Sequence, residues 1–279
     1  MKNLYCYLNG KILPFNKAGI NPLDIGFSRG YALIEIMRTY NGKIFSFKDH
    51  YKRLADGVGV LKLKIPLSRR SLEKVIYQLI KRNHLKEAKI KIILSGGIGK
   101  EDLAIGPKPT FFIYVGPMHL YPDKWYQTGV KLITINYQRQ HPQLKLSNYV
   151  EAIRYHHLLQ EKHAAELLYV FNNSVFECST SNIFMFKGHN LITPNHRVLP
   201  GVTRKIILDL AKKRFKTIIR NVTLNELKRA DEVFITSTTR EILPIVQIDN
   251  TKIKNGLVGK KTKLLRQDFR DFIQKTYFK

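Results

Sequence analysis

The sequence predicts an α+β protein in two domains, from three observations. Strand-like and helix-like patterns mix along the chain without the strict β-α-β alternation of a doubly wound sheet. Residues 116–123, Gly116-Pro117-Met118-His119-Leu120-Tyr121-Pro122-Asp123, carry two prolines and no hydrophobic period, which is the mark of a linker. Beyond that stretch the patterning starts afresh. The expected division is a smaller N-terminal domain over 1–118, a connection over 119–126 and a larger domain over 127–279.

Each element has its own reason. Asn9-Gly10 joins strands over 4–8 and 11–12, and Asn41-Gly42 joins strands over 33–40 and 43–47; Asn-Gly is a strong two-residue hairpin signal. A helix is expected over 48–60. A clearer one is expected over 71–83, where Leu72, Val75, Ile76, Leu79 and Ile80 fall on one face at helical spacing. Residues 90–94 and 111–115 are short β-branched or aromatic runs and read as strands. After the linker, 130–137 alternates apolar and polar residues as a strand does, and 149–164 reads as a helix. Strands over 167–171 and 175–178 flank the turn Asn172-Asn173-Ser174. Strands over 183–186 and 191–193, a helix over 204–215, strands over 217–222, 232–236 and 245–249, and a helix over 257–277 complete the order.

Composition narrows the function classes. With 279 residues, 44% of them hydrophobic, the chain can bury a substantial core. No apolar run approaches the ~18–20 residues that span a bilayer, and the first ten residues turn polar too soon for a secretory signal. The two cysteines, Cys6 and Cys178, match no metal-ligand spacing and are too few for a disulfide framework. A cytoplasmic protein with reduced thiols and no bound metal is expected. The net charge of +27 arises from 48 Lys and Arg against 21 Asp and Glu. These cations are scattered, with no block of five or six like charges and no nucleic-acid-binding signature. Neither nucleic acid nor membrane is the expected partner; the field would draw in small anions such as phosphates and carboxylates.

Several short stretches have chemical potential. Leu199-Pro200-Gly201-Val202-Thr203-Arg204 leads into a helix, with Thr203 placed as an N-cap. The free N–H groups of such a helix end attract anions, although an ordinary loop and cap would read the same. Thr236-Ser237-Thr238-Thr239-Arg240-Glu241 brings four hydroxyls to a strand end, suited to phosphate oxygens or to a simple Ser/Thr turn. Lys145 sits between Leu144 and Leu146 just before a helix. Burial disfavours an ammonium, and a lysine so tuned becomes a nucleophilic amine. Glu177 ends an apolar hairpin strand, where a buried carboxylate needs a cationic partner. Arg53 lies in a helix and, taken alone, reads as a surface residue.

In this order and spacing, over roughly residues 7–249, the motifs resemble the fold-type IV pyridoxal-phosphate enzymes. That group includes branched-chain aminotransferases, D-amino acid aminotransferases and 4-amino-4-deoxychorismate lyases. The resemblance implies a two-domain fold with a smaller N-terminal α/β domain and a larger, β-barrel-like C-terminal domain with helices. It implies pyridoxal 5'-phosphate as cofactor, held between the two domains, and a homodimer. Lys145 matches the Schiff-base lysine that shuttles a proton between Cα and C4′. Tyr149 matches the tyrosine contacting the cofactor's phenolic oxygen, Glu177 the carboxylate on the pyridine nitrogen, and Leu199 the residue packed on the ring. Arg53, Val202, Thr203 and Thr238 match the phosphate cup, with Thr239 beside it. Ile34 and Glu35 fall on the strand lining the substrate side, and Lys91 is a candidate for a carboxylate-binding cation. Two departures weaken a D-specific reading. Ser95-Gly96-Gly97 lacks the arginine of the D-amino acid enzymes and of some of the lyases, and Ile34 stands where the D-amino acid enzymes carry a tyrosine. The implied activity is amino transfer between an amino acid and a 2-oxo acid; the alternative is the lyase, which eliminates pyruvate to give 4-aminobenzoate.

Overall fold

The computed structural model describes residues 4–278, in two compact units. Of these, the first contains residues 4–119 and 144–148, and the second residues 120–143 and 149–277. The short segment with Lys145 thus packs with the N-terminal unit, although the sequence division placed it in the larger domain. Backbone pairing is the reason. Ile34 N donates to Lys145 O at 2.8 Å and Ser147 N to Ala32 O at 2.9 Å, and Leu146 forms a bridge with Leu33.

In the first unit six strands form one sheet in the order Lys11–Pro14, Tyr5–Leu8, Thr110–Pro117, Ala88–Ser95, Ala32–Tyr40, Lys43–Ile44, and every neighbouring pair is antiparallel. Hairpin chemistry explains two of the connections. Asn9, Gly10, Asn41 and Gly42 all have positive φ, as tight two-residue hairpin turns require. Alternation does the rest. Leu33, Met37, Ile90, Ile92 and Leu94 point to one face and form a core with Leu54 of the helix Phe47–Val60 and with Leu72, Ile76 and Leu79 of the helix Arg69–Arg82.

The second unit holds a ten-stranded sheet. Its path begins at Lys216–Ile219, runs through Asn190–Thr193, Asn182–Lys187, Glu232–Ser237, Glu241–Ile248, Val130–Asn136, Glu166–Phe171 and Ser174–Cys178, and ends at Val222–Thr223, with Thr251–Lys252 off the path. The terminal strands of this path are separated in the chain by Arg220 and Asn221 alone, so the sheet curls back on itself. The single strand expected over 217–222 is split for this reason: its two halves serve opposite edges. Ile183 and Met185 face the interior of the curl, while Phe184 and Phe186 on the other face are also fully buried, Phe184 stacked on Phe234 at 4.9 Å. Both faces are covered, hence the unbroken apolar run in these strands. The helices Val202–Ala211 and Lys260–Tyr277 bury Ile207, Ala211, Leu265, Phe269 and Ile273.

Three local expectations are corrected. The helix expected over 149–164 is two short ones, Val150–Arg154 and His157–Glu161, since Tyr155, His156 and His157 are indifferent helix formers. Part of the expected linker is helical, at Asp123–Thr128. Thr203 is not the N-cap: Gly201 caps a helix that starts at Val202, so Thr203 lies inside the first turn. Among the described residues, no helix is long and apolar enough to cross a membrane.

Candidate active site

Period two decides what the first unit can present. Ile34 pairs with Ile93, Glu35 with Ile92 and Ile36 with Lys91. Cross-strand partners share a face and neighbours in sequence do not. Ile34 and Lys91 therefore lie on one face, and Glu35 points to the other, toward the helical layer. The three residues expected on the substrate side cannot line a single surface.

Glu35 has other partners there. Its carboxylate is 1% exposed. Oε2 accepts from Arg53 Nε at 3.0 Å, and Oε1 meets both Arg53 Nη2 and His50 Nδ1, the latter at 2.9 Å. Burial alone would raise the Glu35 pKa, but the Arg53 charge and the His50 hydrogen bond outweigh it and hold the carboxyl well below the usual range. Burial pushes the His50 pKa down, against the pull of Glu35. His50 Nε2, at the other end of the ring, is buried with no hydrogen-bond partner among the described residues. The charge of Lys145 also bears on His50 and lowers its pKa further, so the lysine amine belongs to the same electrostatic neighbourhood. Lys145 itself is half-buried. Arg53, expected to hold phosphate, is bound twice by Glu35 through a fork geometry that only arginine offers.

The second unit assembles a different set. Glu177 is 4% exposed. Oε1 accepts from Arg139 Nε at 2.8 Å and Oε2 from the backbone N–H of Leu199 at 2.8 Å. Arg139 is the cation that a buried carboxylate requires; nothing in its sequence surroundings marked it. The charge of Glu177 also reaches Arg204 and raises its pKa, against the stronger lowering by burial. The segment that carries Leu199 is pinned by Asn182, whose Nδ2 donates to Leu199 O at 2.9 Å. The same asparagine comes so close to Gly201 that a Cβ there would meet its Oδ1 at 2.0 Å, so only glycine fits.

Next along the chain, Val202 and Thr203 are buried, and Thr203 Oγ1 has no hydrogen-bond partner among the described residues. Both residues lie in the first turn of a ten-residue helix. Such a helix end is a ready anion seat. Thr238 and Thr239 stand half-buried in the turn between the strands Glu232–Ser237 and Glu241–Ile248. Tyr149, also half-buried, immediately precedes the helix Val150–Arg154. Chemically, the unit offers a carboxylate paired with an arginine at a strand end and unused donors at a helix start. Sequence reasoning missed Arg139, His50, Glu166 and Arg240, all engaged with carboxylates or hydroxyls distant in the chain.

Comparison with known proteins gives this geometry a context. The family model for amino-transferase class IV matches residues 32–248. The putative branched-chain-amino-acid aminotransferase of Methanocaldococcus jannaschii is 32% identical, over 95% of each chain. The D-alanine aminotransferase of Listeria innocua is 28% identical over 94% of this chain and 93% of its own. Among solved structures, the T.th. branched-chain amino acid aminotransferase with pyridoxamine 5'-phosphate superposes with a TM-score of 0.90 at 25% identity, covering 99% of this chain and 95% of that one. A family match across most of the chain, with relatives that align end to end, shows that the protein is an enzyme of the class IV aminotransferase family.

Proposed function

We propose that the protein is a pyridoxal 5'-phosphate-dependent aminotransferase. In this reading it transfers an amino group between an L-amino acid with an apolar, branched side chain and a 2-oxo acid. The buried, partnerless hydroxyl of Thr203 at a helix start carries the reading. A buried hydroxyl without a partner is costly, and a phosphate at that helix end would satisfy it.

The chain's residues then take these roles. Val202 and Thr203, with Thr238 and Thr239, hold the phosphate; Arg53, kept in place by Glu35, adds charge to that task. Leu199 packs on the ring and Tyr149 contacts its phenolic oxygen. Glu177, paired with Arg139 and the Leu199 N–H, would hold a proton at the pyridine nitrogen. When bound, the cofactor supplies the electron sink for charge developing at the substrate Cα. Lys145 would hold the cofactor through its Nζ and would carry a proton to and from the substrate Cα, as acid and base in turn. Ile34 and Lys91, which share a face, remain on the substrate side; Glu35 becomes a support for Arg53.

The preference for a branched, apolar L-substrate rests on the relatives and on the missing arginine at Ser95-Gly96-Gly97. The relatives' names do not favour the lyase alternative. A homodimer in the cytoplasm completes the proposal. Purified protein given pyridoxal 5'-phosphate should show a visible absorbance band that L-leucine alters, and should consume 2-oxoglutarate. Turnover of D-alanine alone would overturn the stereochemical assignment. Pyruvate release from aminodeoxychorismate, with no 2-oxo acid consumed, would overturn the reaction.

A further inference from the structure

We infer that the buried pair Glu166–Arg240 is a strut that fixes the spacing between the two ends of the cofactor seat. One end is the strand end that carries Glu177, and the other is the turn that carries Thr238 and Thr239. The inference rests on the proposed cofactor reading and adds residues to which that reading gave no role.

The observations concern two turns of the second unit. Residues 179–181 follow directly on the strand Ser174–Cys178, which bears Glu177. All three bind the carboxylate of Glu166, which is 1% exposed. Ser179 Oγ donates at 3.1 Å, Thr180 Oγ1 at 2.8 Å and Ser181 Oγ at 2.8 Å, and the Thr180 backbone N–H adds a further bond. Arg240 closes the other turn. Its side chain is 13% exposed, with Nη1 at 3.3 Å from Glu166 Oε2 and 2.6 Å from Thr180 Oγ1. The guanidinium also lies 4.7 Å from the ring centre of Tyr121. On the far side, Glu241 is held at φ +58, with Arg270 Nε 2.7 Å from its Oε2. Thr238 and Thr239 are thus followed by two anchored residues in succession.

Stability alone does not account for such a pair. A buried ion pair contributes little net stability compared with apolar residues of the same volume. It does impose distance, because Arg240 Nη1 must reach Glu166 Oε2 and Thr180 Oγ1 together. The strand end and the turn are far apart in the chain, and Glu166 with Arg240 ties them together. A cofactor that uses both ends binds well only while that distance holds. One that uses the ring end alone is indifferent to it.

The test compares pyridoxal 5'-phosphate with pyridoxal, which lacks the phosphate. Wild-type protein is first titrated with each and then reduced with borohydride. Failure of wild type to take up pyridoxal 5'-phosphate would sink the cofactor reading, before any variant is made. Given uptake, Arg240→Met, Glu166→Gln and Thr180→Val are each expected to raise the Kd for pyridoxal 5'-phosphate about 10-fold, the usual size of a supporting-residue effect. The Kd for pyridoxal should change by less than about twofold. The double variant Glu166→Gln/Arg240→Met should lose no more than the worse single one, since both break one strut. Arg240→Lys keeps the charge, loses the fork and should fall between. It carries the test if Arg240→Met does not fold. Equal losses for both ligands, or a lowered melting temperature with both affinities unchanged, would overturn the strut.

Discussion

The two units treat buried charge in opposite ways. In the first, Arg53 and His50 both bind Glu35, and both oxygens of the carboxylate are taken by protein donors, while His50 Nε2 has no partner among the described residues. In the second, Glu177 is equally buried and equally paired, but the chain just beyond it leaves donors unused: Thr203 Oγ1 and the opening N–H groups of a helix. A carboxylate closed off by protein donors stabilises its surroundings. Unused donors at a helix start cost stability until something binds. The comparison separates a paired carboxylate beside the Lys145 charge, in the first unit, from a paired carboxylate beside unused donors, in the second.

The largest effect expected is chemical. Lys145→Ala should lower transamination by on the order of 10³-fold, as loss of an acid–base group does, with the melting temperature of the apo protein preserved. Comparable activity in that variant would remove Lys145 from the chemistry.

Glu35→Gln sharpens the contrast on the stability side. It strands the buried Arg53 guanidinium, and breaking one partner of a buried pair costs about 3–5 kcal/mol. Denaturant unfolding should show that loss with or without cofactor. A loss under about 1 kcal/mol, the worth of an exposed pair, would mean that the network in the first unit is not closed.

Thr203→Val should act with opposite signs in the two states of the second unit. Removing a buried, unsatisfied hydroxyl stabilises the apo protein by about 1 kcal/mol, while the Kd for pyridoxal 5'-phosphate rises roughly 10-fold. Destabilised apo protein with unchanged affinity would show that Thr203 is an ordinary core residue.

The smallest effect is a pH dependence. Burial lowers the His50 pKa in the fold from its ordinary 6.5. The unfolded chain therefore binds the proton first, so stability present at pH 7 is lost as pH falls below 6.5. Wild type should lose melting temperature between pH 7 and 5 more steeply than His50→Gln. Parallel curves would mean that His50 contributes nothing to the loss.

Much of the architecture was legible because local chemistry and tertiary demand agree. Asn172 and Asn173 both adopt positive φ, as their hairpin position suggested. Lys145 and Glu177 stood out by their order along the chain together with apolar neighbours. Arg139 and Arg240 did not, because each is one cation among 48 Lys and Arg and its partner is distant in sequence. The grouping of Ile34 with Glu35 failed for a readable reason: adjacent strand residues point to opposite faces. The break within 149–164 was legible only in part, since the indifferent helix formers at 155–157 weaken a helix without forbidding it.

The most direct test of the whole account is the site of covalent attachment. Protein loaded with pyridoxal 5'-phosphate, reduced with borohydride and digested should carry one phosphopyridoxyl group, on the peptide containing Lys145. The label should disappear in Lys145→Ala and need a higher cofactor concentration in Thr203→Val. Labelling spread over surface lysines, or a single label at another lysine, would contradict it.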